Sequence, residues 1–273
     1  MVVSASLLFV SCDDNKEARD LYNKAKELYN QGDYLRVKEV TDSIGIVDDN
    51  AFDEIKAGMQ LARKAELAIN EQNMLQIDSI LRLLQDETNN LLNDFEYIKD
   101  EEYQTVASLY YKHDPNRHNQ TKSGLRVYVT EDGNLEILSI HYGSSNIQHE
   151  SFKLTLDDGS FIMSDIVPYD GANNYRYNIN GVNIETIRYK EPKTLDIAQF
   201  IENSKGAPIK VSFDGKSPYS FNLEKNTRKA IIESYKLTQI IKQTKKYQRD
   251  ADITSQAIAI LKKQIKEHEG DSI

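Results

Sequence analysis

GLRVYVTEDGNLEILSIHY, residues 124–142, decides the fold. Two runs rich in Leu, Val, Ile and Tyr flank Glu131, Asp132, Gly133 and Asn134, and an aspartate-glycine step supplies the positive backbone angles that a tight hairpin needs. The same grammar recurs outward along the chain. Asp157 to Ser160 parts FKLTL from FIMSDIV, Asp214 to Ser217 parts IKVSF from YSFNL, and Asn180-Gly181 parts YRYNI from VNIETIRY. All five prolines fall in this middle region. The pattern predicts seven to nine strands, with one helix between Leu195 and Asn203, as an antiparallel β domain over 103–223, either a sandwich or a curled sheet.

The flanks read differently. From Lys16 to about Lys99 there is no proline, and apolar residues recur at helical spacing. Leu21, Ala25, Leu28 and Tyr29 form one stripe. Gly32-Asp33 turns the chain into a second helix with Leu35, Val37 and Val40. Asp48, Asp49 or Asn50 caps a third helix carrying Phe52, Ile55, Met59 and Ala62, and a fourth carries Ile77, Ile80, Leu84 and Leu91. KAKELYNQGDYLRVKEV, from Lys24, lies over KAELAINEQNMLQIDSI, from Lys64, at an offset of 40 residues. The first copy resembles a fragment of a tetratricopeptide-type helix pair, but two copies fall short of a solenoid, so a plain bundle is expected.

After Leu223 helical spacing returns. Leu237, Ile240, Thr244, Tyr247, Ala251, Thr254, Ile258, Leu261 and Ile265 follow steps of three and four, a seam of the bundle or coiled-coil kind. One long helix and two shorter ones both satisfy it, since Asp250 or Asp252 can cap a second segment. Residues 13–102 hold 22 acids and 11 bases, whereas residues 224–273 hold 7 and 11. Opposite charge favours docking of the C-terminal segment on the N-terminal helices. The expected fold class is therefore α+β: N-terminal antiparallel helices over 12–102, the antiparallel β domain, and a long C-terminal helix or helix pair over 224–268 that closes the body.

The start of the chain carries an address. MVVSASLLFVS, residues 1–11, is uncharged, too short for a membrane span, and ends in a small residue before the only cysteine, Cys12. It resembles a bacterial lipoprotein signal, which implies lipid on Cys12 and a partial signal peptide over 1–11. Phe9 stands where the usual Leu would be, and no Lys or Arg precedes the apolar core. Asp13 and Asp14 resemble the acidic tether that sends many Bacteroidetes lipoproteins to the outer face of the outer membrane. In enterobacteria an aspartate at that place implies inner-membrane retention, so the leaflet depends on the host. With the cysteine spent on lipid, no disulfide is expected.

A second resemblance rests on VSFDGKSPYSFNL, 211–223, followed by the helix EKNTRKAIIESYKLTQII, 224–241. Together with the β segment before them they resemble a module of uncharacterised Bacteroidetes cell-envelope lipoproteins, covering about residues 104–241. That resemblance implies no catalytic residues.

Chemical motifs are scarce. No G-x-S-x-G elbow, Gly-rich phosphate loop or H-E-x-x-H pair is present, and the chain has no second cysteine. His113, His118, His141 and His149 lie within 37 residues, at spacings that match no zinc motif. Asp157-Asp158 reads as turn chemistry. A net charge of −9 without a concentrated basic face speaks against nucleic acid. The candidate ligand-binding stretch is VPYDGANNYRYNINGVN, 167–183, where Tyr169, Asn173, Asn174, Tyr175, Arg176 and Tyr177 offer rings and amides to a glycan or a peptide. The expectation is a non-catalytic envelope lipoprotein without cofactor or metal, held to the membrane by its lipid, that binds an envelope or surface protein or scaffolds an assembly. A ligand-capture module and an envelope hydrolase stand as alternatives, the latter requiring acids and a histidine to converge in one pocket.

Overall fold

The computed structural model describes residues 15–99 and 106–270, so Cys12, Asp13 and Asp14 lie outside the described residues. The fold is α+β, with helices at both ends of the chain and two antiparallel sheets between. By backbone contacts it divides into two compact units, one of residues up to Leu81 together with those from Tyr247, the other of Arg82 to Lys246.

In the first unit, α1 (Lys16–Asn30) and α2 (Tyr34–Val47) form a helical hairpin. Asp33 caps α2, its Oδ1 accepting from the Arg36 amide at 3.4 Å. Ala25, Leu28 and Val37 close on Ala65 of α3 (Phe52–Leu92), and Tyr29 meets Tyr34 edge to face at 5.3 Å. The third and fourth helices expected from sequence are one continuous α3 of 41 residues. Between Ala62 and Ile77 stands neither glycine nor proline, so nothing interrupts the backbone ladder. The end of α5 (Lys225–Gly270) belongs to this unit, where Leu261 is buried and Lys262 pairs with Glu71 at 2.9 Å. A single helix thus resolves the alternatives left open at Asp250, and all nine seam positions are buried or half-buried.

Among the described residues the second unit holds ten strands. A six-stranded sheet runs in the order β1 (Phe95–Ile98), β2 (Ser108–Tyr111), β3 (Gly124–Thr130), β4 (Leu135–Gly143), β8 (Val182–Tyr189), β7 (Asn174–Ile179). A four-stranded sheet runs β10 (Tyr219–Asn222), β9 (Ile209–Asp214), β5 (Ser151–Leu156), β6 (Phe161–Met163). Every pairing is antiparallel. The four turns read from sequence all join paired neighbours: β3 to β4, β5 to β6, β7 to β8 and β9 to β10.

Strand β1 corrects the helical reading of residues up to Lys99. Phe95 pairs with Tyr111 and their rings meet at 5.6 Å, so a core contact overrides local propensity in FEYI. One core serves both sheets. Val127, Ile137 and Ile187 from the first join Phe152, Val211 and Phe213 from the second, closed by Ile197 and Ile201 of α4 (Lys193–Asn203) and by Ala230, Ile231 and Leu237 of α5. Burial of this apolar surface is the dominant favourable term in forming the unit.

Candidate functional site

The stretch singled out in the sequence becomes a shaped loop and an edge strand. Asp170 organises the loop: its Oδ1 accepts from the amides of Ala172 and Asn174, both at 2.9 Å, and its Oδ2 accepts from Asn173 Nδ2 at 3.1 Å. Those donors, the Asn174 amide foremost, hold the Asp170 carboxyl down to about 2. The loop delivers the chain into β7, which pairs with β8 on one side only and forms the edge of its sheet.

Strand alternation then divides the four candidate residues on β7 between two faces, while Tyr169 and Asn173 lie in the loop before it. Asn174 and Arg176 turn inward. Asn174 is fully buried, its Nδ2 donating to Val167 O at 2.7 Å and lying 3.4 Å from His149 O. Arg176 Nη2 donates to the same His149 carbonyl at 3.0 Å, and the Arg176 guanidinium lies 5.3 Å from the Tyr169 ring centroid. Tyr175 and Tyr177 turn to the opposite face and stack nearly parallel, centroids 6.1 Å apart. Tyr169 is 58% exposed and Tyr177 37%. Asn173 is half-buried and tied to Asp170.

Behind the inward face lies a polar network that motif reading missed. Ser139 on β4, His149 just before β5 and Glu185 on β8 are all buried. His149 Nδ1 is 2.8 Å from Glu185 Oε2, and His149 Nε2 is 2.8 Å from Ser139 Oγ. The partners assign the tautomer: Nδ1–H donates to the carboxylate and Nε2 accepts from the serine hydroxyl. Glu185 Oε1 also accepts from the Gln148 amide at 2.8 Å, Oε2 from the His149 amide at 3.0 Å, and the Tyr189 hydroxyl reaches Ser139 Oγ at 3.3 Å. Burial pulls the His149 imidazole down, and the Glu185 carboxylate recovers only part of that fall, so the ring is neutral. For Glu185, burial by itself raises the carboxyl, and the bonds from His149 and the two amides outweigh it, leaving a net lowering.

This is the relative arrangement of a nucleophilic serine, its base and the base's orienting acid. Acyl transfer also needs an open path to Ser139 Oγ, and that side chain is sealed in the core, with His149 stacked on Phe213 at 4.6 Å. The signal for the network was strand parity. In LEILSIHY, Ser139 shares the inward face with Leu135 and Ile137; in VNIETIRY, Glu185 shares it with Ile187 and Tyr189.

Arg176 leads from the network to solvent. Its Nε lies 4.0 Å from Glu185 Oε2 without a hydrogen-bond partner, and its side chain borders a cleft of about 350 Å³ with Gln148, Glu150, Ile166, Asp214 and Lys216. Two cations and two carboxylates around so small an opening suit polar recognition.

The remaining sequence candidates lie elsewhere. His113 Nε2 pairs with Asp94 at 3.0 Å and His118 Nε2 with Glu96 at 3.1 Å, both near the surface. His141 is buried, its Nε2 2.9 Å from Ser145 O. Asp158 Oδ1 accepts from the Ser160 amide and hydroxyl, the turn role read for it. Among the described residues no group of three or more His, Cys, Asp or Glu is placed to hold a metal ion, and no helix is long and apolar enough to cross a membrane. Compared with protein families, curated proteins and solved structures, the chain matches none of them.

Proposed function

We propose that the protein is a non-catalytic lipoprotein of the bacterial envelope that binds a protein partner along the stretch from Phe161 to Ile179. One observation carries the binding half. Phe161, Met163, Ile166, Tyr169, Tyr177 and Ile179, six large apolar side chains within nineteen residues, stand exposed. Exposed apolar side chains this dense along one stretch are what a contact with another molecule would cover. The stretch also contains β6 and β7, each the last strand of its sheet, and the unpaired backbone of an edge is a template for an extended segment of a partner.

The address rests on LLFVSCDDN: lipid on Cys12, the outer membrane, and display at the cell surface in a host that reads Asp13 and Asp14 as an export signal. A photo-cross-linking side chain placed at Tyr177 in intact cells tests the binding half. The expected outcome is one reproducible polypeptide adduct, absent when the probe sits instead at exposed Lys210 on β9. No adduct, or the same adducts from both positions, overturns it.

A hydrolase reading is favoured by one observation, the Ser139–His149–Glu185 geometry, and opposed by its burial. A fluorophosphonate probe that labels the protein, with labelling abolished in Ser139→Ala, would establish it. Failure to label leaves the three residues as a core network.

A further inference from the structure

A different cleft, of about 490 Å³, opens beside the first two turns of α5. Its apolar lining is Pro208, Leu223 and Ile232, and its charged lining includes Lys225, Arg228 and Lys229. The one acid there, Glu233, is already bound to Lys236 at 3.2 Å. Three cations from one helix thus line a partly apolar cleft in a chain of net charge −9, a local reversal of sign that concentrates anions.

The cations are unevenly satisfied. Arg228 Nη2 donates to the Ala207 carbonyl, while its Nε is shut from water without a hydrogen-bond partner. Burial holds the Arg228 guanidinium below its ordinary value, the mark of a cation that has lost water. Lys225 is exposed and joins no ion pair among the described residues; Lys229, 5.7 Å from the Tyr111 ring centroid, is held by a hydrogen bond with the Tyr111 side chain and by the charges of Glu233 and Asp94, so Lys225 and Arg228 are the less satisfied cations. A small inorganic anion would leave the Pro208, Leu223 and Ile232 surface in water. A neutral apolar molecule would leave the cations uncompensated and remove still more of their water. One molecule that carries both an anionic head and an apolar body answers both demands, and the volume lies in the range of small-molecule sites.

We infer that this cleft binds an anionic amphiphile, its carboxylate or phosphate head held by Lys225, Arg228 and Lys229 and its acyl or alkyl body lying against Pro208, Leu223 and Ile232. Calorimetric titration with decanoate, decyl phosphate, acetate, inorganic phosphate and decyl glucoside, the amphiphiles below micelle-forming concentrations, tests it. Decanoate, decyl phosphate or both bind at one site, and their relative affinities assign the head group. Acetate, inorganic phosphate and decyl glucoside bind at least about tenfold more weakly, since each lacks one half of the recognition. Lys225→Glu, at an exposed position, weakens the preferred amphiphile by about tenfold with an unchanged melting temperature, and Arg228→Gln weakens it similarly.

Four results would overturn the inference. They are no binding of either anionic amphiphile, equal binding of decyl glucoside, equal binding of the small anions, or an affinity unaltered in Lys225→Glu. If Arg228→Gln does not fold, Lys225→Glu alone decides.

Discussion

His149 Nδ1 lies 2.8 Å from Glu185 Oε2 with both side chains sealed from solvent. Glu185 also accepts from two backbone amides, so three hydrogen bonds hold its carboxylate. Glu185→Gln keeps the shape but removes the charge and turns an amide group toward existing donors. The expected loss is about 2–4 kcal/mol of stability by urea denaturation. Ser139→Ala, which strands the His149 Nε2 acceptor, costs about 1–3 kcal/mol. A loss below about 0.5 kcal/mol for Glu185→Gln would mean that the pair is not buried as described.

Acid should loosen the same centre in two stages. His149 has its folded value lowered, so the unfolded chain binds the extra proton first, and stability falls as pH drops below about 6.5. Glu185 is also lowered; its contribution is present above the unfolded carboxylate value and is lost as pH falls through the folded one. The denaturation midpoint should therefore decline from pH 7 to 5 and again below about pH 4.5. In His149→Gln the first decline should flatten; an unchanged slope would place the titration elsewhere.

Gly133 holds a φ of +81°, and a Cβ there would sit 2.5 Å from Ile241 Cγ2 of α5. Gly159 has a similar φ of +88° with nothing within 4 Å. Gly159→Ala should cost about 1 kcal/mol from backbone strain alone, and Gly133→Ala about 2–3 kcal/mol because the helix must also shift. Paired denaturation curves measure the difference, and equal costs would dismiss the packing contribution.

For the address, cells fed a palmitate analogue should incorporate label into the protein, and Cys12→Ala should abolish it. Label that persists in the variant would remove Cys12 as the attachment point.

Local chemistry made much of the fold legible. Asp132-Gly133, Asp158-Gly159 and Asn180-Gly181 mark turns by positive backbone angles that need no knowledge of the rest of the chain, whereas Gly215 is not at positive φ and is required instead by the backbone it touches, a Cβ there lying 2.3 Å from Ile147 O. Strand β1 was illegible because FEYI is four residues long and gains its state from Tyr111 across the sheet. The joined α3 reads as two helices because the apolar residues that form its stripes fall into two groups, Phe52 to Ala62 and Ile77 onward, although no glycine or proline stands between them. The Ser139–His149–Glu185 network was illegible for a different reason: its members come from β4, a loop and β8, and only the sheet register brings them together. Likewise, Asn174 and Tyr175 are equivalent in a sequence until the core side of β7 is known, and they then divide into a buried pin and a surface ring.

That division gives β7 an unusual arithmetic. The Asp170 loop fixes where the strand begins and the two-residue Asn180-Gly181 turn fixes where it ends. Its parity is therefore locked from both sides. Inserting one residue between Asp170 and Asn174 would bring tyrosine rings against His149 and put Arg176 outside, whereas a two-residue insertion at the Asn180-Gly181 tip keeps every side chain on its own side. Length variation in this part of the chain should thus be tolerated in twos at the tip and not in ones at the base.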